Sequence, residues 1–298
     1  MARGPLAIPP EIRSRLKRLR LCTRSDLGTG GFGLHPSRTK GAGLEFAQYR
    51  AYEPGDEPRR IDWKLFARSD KFFVREAEQE SPVSVWILID ASASMGQADR
   101  RTPDWSRLDA AKLLGLCIAQ LAQQQGDRFG WMMLRQGALG VAEPRADRAQ
   151  MDRLQIDFAR LEAAGAFPDA ATLAPLWERI AAHDLVLFLS DCFDAAGIAM
   201  IERLAKAGRE VLAVQLLTVE ERDFPFAGGY RFLDPETGEA LIGDGKALRE
   251  SFLSRFAAAR AALGERLDAA GIRHTAYVLD EPIDQPLHVF FGRGGAPA

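Results

Sequence analysis

Beyond Pro82 the chain alternates short apolar runs with long amphipathic stretches, and this alternation limits the possible fold more than any other feature. "VSVWILID", ending at Asp90, is a continuous apolar run, the pattern of a strand buried on both faces of a parallel sheet. "RLDAAKLLGLCIAQLAQQQ" reads as a long helix ending near Gly126, and "RFGWMML" with "ALGVAE" as a hairpin around Gln136-Gly137. Helices follow around residues 147–163 and 173–182, then the strand "LVLFLS", a helix near 197–207 and the strand "EVLAVQLL". "YRFLDPETGEALI" is a second hairpin, with Pro235 and Gly238 at its turn. A long Ala- and Arg-rich helix runs through Leu263 to Ala270, and "IRHTAYVL" is the last strand. Such alternation predicts an α/β fold with a mostly parallel, doubly wound sheet covered on both faces.

The upstream segments are of another kind. "PPEIRSRLKRLRLCTRS" carries an apolar stripe, Ile12, Leu16 and Leu19, among Arg13, Arg15, Lys17, Arg18 and Arg20. Two readings stay open: a solvated helix docked by its leucines, or a basic helix lying on anionic lipid or a nucleic-acid backbone. Gly28, Gly30 and Gly33 satisfy G-x-G-x-x-G, but a helix precedes them and a His-Pro-Ser loop follows, which is the wrong context for a dinucleotide turn. "LEFAQYRAY" and "KFFVREAEQE" read as short strands. The expected organisation is a basic helix over 1–27, an extension with short strands over 28–80, and the main domain over 81–298 with a hairpin insertion near 228–243.

Charge and cysteines narrow the classes. A formal net charge of -2 and a pI near 6.2 give no global field toward nucleic acid or membrane. Cys22, Cys117 and Cys192 form neither a metal spacing nor a disulfide framework. No apolar stretch reaches the roughly 18 residues of a transmembrane segment. The expectation is a cytoplasmic protein that binds no nucleic acid.

The chemistry is concentrated in Asp90-Ala91-Ser92-Ala93-Ser94, directly after a buried strand. In open parallel sheets, ligands bind beyond the carboxyl ends of strands, where the strand order reverses. One carboxylate and two hydroxyls on a tight loop form an incomplete, oxygen-only set that suits Mg²⁺ or Mn²⁺, which keep several waters. Asp191, after "LVLFLS", would bring a second carboxylate to the same crevice if the two strands are neighbours. The plainer reading is that Asp90 caps the next turn and Asp191 caps the following helix.

"DASASM" followed by "SDCFD" resembles the metal-ion-dependent adhesion site of von Willebrand factor A domains. "GLEFAQYRAYEPGDEPRRIDWKLFARSDKFFVREAEQE" resembles the signature of the bacterial domain of unknown function fifty-eight, whose genes often accompany MoxR-type AAA+ ATPases. The resemblance implies a von Willebrand factor A-like, Rossmann-like sheet and a metal site at Asp90, Ser92, Ser94 and Asp191. It also implies a threonine from a later loop. The chain reads "AFPDAATLAPLW" there, so Thr172 is the nearest candidate and Asp169 a substitute.

Within "RRIDWKLFAR", Asp62 and Trp63 are expected to be buried, with Arg–Asp pairs around the tryptophan fixing the fold. Arg50, Arg59 and Arg68 are the candidates for a partner surface, since arginine dominates interface hot spots. The expected function is a metal-dependent protein-interaction module, with a partner Asp or Glu completing the metal shell and a MoxR-type ATPase as the partner. A metal-dependent phosphohydrolase using Asp90, with Asp191 and Asp194 as metal acids, is the rival. Against it, Ser92 stands where a general acid is needed, and His35, His183, His274 and His288 lie in no nucleophile motif. Nucleic-acid binding by the basic helix lacks an aromatic stacking platform.

Overall fold

The opening prolines start a short helix, α1 (Pro10–Leu16), in the computed structural model, which describes residues 6–23, 40–52, 61–78, 83–233 and 235–292. Proline suits this position because its missing N–H would have no helical partner there. Ile12, Leu16 and Leu19 are buried, whereas Arg13, Lys17, Arg18 and Arg20 face solvent. Arg15 Nε and Nη2 donate to Asp284 Oδ2 and Oδ1 at 2.6 and 2.7 Å, a bidentate pair that fixes the helix in place. Of the two readings of this segment, the docked helix is the one observed. The glycine-rich stretch containing Gly28, Gly30 and Gly33 lies outside the described residues.

By contact the chain divides into two units, Cys22–Val83 and the remainder. In the smaller unit β1 (Lys40–Ala51) pairs antiparallel with β2 (Phe73–Glu78), and α2 (Trp63–Ser69) lies between them in sequence. Phe66 and Phe72 stack with ring centroids 4.4 Å apart, and Val74 is buried.

In the larger unit the apolar runs form the expected strands: β3 (Ser84–Asp90), β4 (Arg128–Arg135), β5 (Ala138–Arg145), β6 (Leu185–Ser190) and β7 (Glu210–Leu217). The hairpin β8 (Gly229–Leu233) and β9 (Ala240–Asp244) stands apart from the main sheet, which is completed by β10 (Arg273–Val278). The main order is β10-β7-β6-β3-β4-β5, parallel except for the antiparallel edge pair β4–β5. From β3 the chain first adds β4 on one side and later β6 on the other, so the order reverses between β3 and β6. Their register, Ile89 opposite Leu189, places Asp90 and Asp191 just past neighbouring strand ends.

Helices cover both faces, as strands this apolar require. Trp86 and Leu88 point into one core with Val186, Phe188 and α6 (Ala195–Lys206), which contributes Ile198, Ile201 and Leu204. Ile87 points the other way, against α3 (Arg107–Gln125). A Cβ on Gly115 would meet Phe158 at 2.8 Å and Ile87 at 3.2 Å, so only glycine lets α3 approach this closely. The Ser106–Asp109 capping box starts α3 and fixes where its first turn begins. The remaining helices are α4 (Ala149–Arg160), α5 (Ala174–Arg179), α7 (Val219–Asp223), α8 (Gly245–Ala269) and α9 (Gln285–Phe291).

Candidate functional site

Asp90 ends β3 and is 1% exposed, with both carboxylate oxygens engaged. Oδ1 accepts from the Ser92 backbone N–H at 2.9 Å, and Oδ2 from Ser190 Oγ at 2.7 Å. Ser190 is the last residue of β6, so this bond joins the two strand ends across the switch point. Burial pushes the Asp90 carboxyl up to about 6, opposed by the Ser92 N–H and helped by the nearby charge of Asp191. After Asp90 the chain turns through Ser92 into a 3₁₀ turn, Ala93–Gly96, and the Ser92 and Ser94 hydroxyl oxygens come within 3.1 Å of each other. The turn is pinned from outside by Ala93 N–H donating to Gly165 O at 2.7 Å.

Asp191 is equally buried, and Cys192 follows it with φ 61°, a left-handed conformation uncommon for a residue with a side chain. Ser190 Oγ accepts from Cys192 N–H at 2.9 Å, and Asp191 Oδ1 from Phe193 N–H at 3.2 Å. These bonds hold the strained turn. Asp191 Oδ2 accepts from Arg107 Nη1 at 3.0 Å. Arg107 is fully buried; it also donates to Ser94 O at 3.1 Å and to Glu221, and stands 5.6 Å over the Phe193 ring. One guanidinium therefore ties Asp191 and the Ser94 turn to α7.

A fourth wall comes from the β8–β9 turn. The Glu236 carboxyl lies beside the Ser94 and Ser92 hydroxyls, within electrostatic reach of Asp191 and Asp194. Desolvation pushes its pKa up and Asp191 adds to the rise, while the two hydroxyls oppose it.

The structure thus brings Asp90, Ser92, Ser94 and Asp191 together. Thr172 is held elsewhere, its N–H donating to Asp169 Oδ1 at 2.8 Å in an exposed turn. Among the described residues no hydrogen bond joins Thr172 or Asp169 to the four. Asp194 is the N-cap of α6, accepting from Ala196 and Gly197 N–H, so the capping expected of Asp191 falls to Asp194 instead. Arg68 is exposed on α2. Arg50 lies in β1 opposite Val74, and Arg59 lies outside the described residues. The expected burial of Asp62 and Trp63 is corrected. Asp62 is the N-cap of α2, accepting from Lys64 and Leu65 N–H at 3.0 Å each, and Trp63 is 58% exposed. Trp63 meets Phe66 and Phe72 edge-on and leaves the rest of its ring system in water. Sequence reasoning missed Arg107, Ser190, Glu221 and Glu236.

The donor set fits a hard cation better than a soft one. Two hydroxyls are in mutual contact, two carboxylates stand behind them, and no group of three or more His, Cys, Asp or Glu is placed to hold a metal among the described residues. Asp90 and Asp191 already accept main-chain and side-chain bonds, which suits contact with a hydrated ion through its waters.

A family model described as "Protein of unknown function DUF58" matches residues 48–262. An uncharacterised protein of Mycobacterium bovis is 27% identical over 274 residues, 91% of this chain and 83% of the relative. In solved structures, an aerotolerance-related membrane protein from Bacteroides fragilis shares 13% identity at a TM-score of 0.45, covering 70% of this chain and 96% of that one. The SpRpn10 VWA domain shares 13% identity at a TM-score of 0.38, covering 70% and 94%. The cytoplasmic expectation is corrected by the Bacteroides neighbour, which is described as a membrane protein. Scattered cysteines and an ordinary net charge do not fix a compartment. Among the described residues no helix is long and apolar enough to cross a membrane.

Proposed function

We propose that this chain, which belongs to the DUF58 family, is a divalent-cation-dependent protein-interaction module. The observation that carries the reading is the contact of the Ser92 and Ser94 hydroxyls, 3.1 Å apart, beside two buried carboxylates at the switch point of the sheet. In this reading Ser92 and Ser94 hold Mg²⁺ or Mn²⁺ directly, and Asp90 and Asp191 accept from its waters. Ser190 fixes the Asp90 carboxylate and Arg107 fixes that of Asp191, so neither has to reorganise when the ion arrives. The ion supplies a Lewis-acidic position for a carboxylate of a partner protein. Family resemblance suggests a MoxR-type AAA+ ATPase as that partner.

The phosphohydrolase reading has less support. Both Asp90 oxygens accept hydrogen bonds, Asp194 caps a helix, and among the described residues no histidine hydrogen-bonds to Asp90. The lipid or nucleic-acid reading of the basic segment would leave a docked α1 presenting only its solvent side.

The test is calorimetric titration of a MoxR-type ATPase into the chain, in Mg²⁺ and in excess chelator, for parent and Ser92→Ala. Metal and partner coupled through one site should strengthen each other by roughly 5–150-fold, by reciprocal linkage. The parent should therefore bind that much more tightly in Mg²⁺, and the variant should show no such gain. Equal affinity in all four titrations would overturn the reading.

A further inference from the structure

The proposed site offers the ion few direct protein ligands. Ser92 and Ser94 give two oxygens, Asp90 and Asp191 are committed to other donors, and Thr172 is bound to Asp169. A small divalent ion with near-octahedral demands gains most from one further anionic oxygen adjacent to the two hydroxyls.

The chain places such an oxygen there itself. Gly229 pairs with Asp244 and Leu233 with Ala240, so the β8–β9 ladder closes between Leu233 and Ala240. Gly238, at φ 74°, makes the reversal, and Glu239 N–H donates to Thr237 Oγ1 at 3.3 Å. The root of the hairpin is tied to the loop that follows Ser94. Arg100 Nη1 donates to the Tyr230 hydroxyl at 3.4 Å, its guanidinium lies 5.6 Å over the Tyr230 ring, and its N–H donates to Glu220 at 2.9 Å. Phe224 stacks on Phe232 and Phe252, which sets the hairpin's direction. The result is that Glu236 sits against the Ser94 and Ser92 hydroxyls.

We infer that Glu236, carried by the hairpin, is an intramolecular ligand of the cation, completing the set with Ser92 and Ser94 where Thr172 does not. This inference rests on the metal-dependent reading of the site. A partner carboxylate would then compete with Glu236 for the ion, so the hairpin sets the threshold for partner binding.

Mn²⁺ alone is a sufficient probe. The full chain is titrated with Mn²⁺ and followed by solvent-proton relaxation, which reports both affinity and the number of waters on the bound ion. Parent, Glu236→Gln and Glu239→Gln are compared, and their melting temperatures in chelator verify that all three fold alike. Both glutamates are exposed, so the fold should tolerate each change. Glu236→Gln is expected to bind Mn²⁺ about 10–100-fold more weakly, the range seen when groups around a metal are removed, and to show higher relaxation per bound ion because a water replaces the carboxylate. Glu239→Gln should match the parent, which separates ligation from general charge. If Glu236→Gln equals the parent in affinity and relaxation, or binds more tightly, the Glu236 inference falls and the metal reading stands. If the parent binds no Mn²⁺, both fall together.

Discussion

Asp90 and Glu236 are carboxylates of one crevice, held in different ways. Asp90 leaves a strand buried on both faces, and two hydrogen bonds fix its oxygens, one of them from the neighbouring strand end. Arg107, fully buried, locks the acid beside it. Glu236 sits at the tip of a two-stranded hairpin whose Leu233, Leu241 and Ile242 are exposed, and whose root is held by aromatic packing and by Arg100. A site needs rigid support where its geometry must be exact to a fraction of an ångström, and elements of low local stability where something must yield. The β3–β6 end of this crevice is the rigid part, and in the proposed reading the hairpin is the part that would yield to a partner.

Substitution at the rigid end should have the larger effect. Arg107→Met removes the cation between Asp191 and Glu221 and leaves Asp191 buried and uncompensated. Breaking a buried pair in this way costs about 3–5 kcal/mol, measurable by denaturant unfolding of the larger unit. A loss below about 1 kcal/mol, the range of exposed ion pairs, would show that the strand ends are not held by this guanidinium. On the hairpin, Ile242→Ser should change stability by no more than about 0.5 kcal/mol, because the side chain is 79% exposed and away from any special feature. A larger loss in the same unfolding experiment would mean that the hairpin is a structural part of the unit, and the contrast would fail.

Much of this was legible in the sequence, for a physical reason. Parallel strands covered on both faces must be apolar throughout, so β3, β6 and β7 stand out as runs, and the acids that end β3 and follow β6 mark the ligand end of the sheet. The β8–β9 turn was legible because reversing the chain there needs Gly238 in the left-handed region. Arg107 was not. It begins a helix, where an arginine normally faces water, and its partners Asp191 and Glu221 lie 84 and 114 residues away in sequence. Glu236 was hidden in the same way: in "DPETGE" it is one polar turn residue among several, and only the packing of Phe224, Phe232 and Tyr230 brings it to Ser94. The capping role of Asp62 was hidden for the opposite reason, because a carboxylate among arginines draws attention to charge and away from its position one residue before a helix.

In the proposed site Ser92 and Ser94, backed by Asp90 and Asp191, hold a divalent cation. The most direct measurement is a calorimetric titration of Mg²⁺ into the full chain, for parent and for Ser92→Ala. A single saturable site is expected in the parent and loss of that binding in Ser92→Ala, with both proteins equally stable in chelator. Absence of binding in the parent, or unchanged binding in the variant, would contradict it.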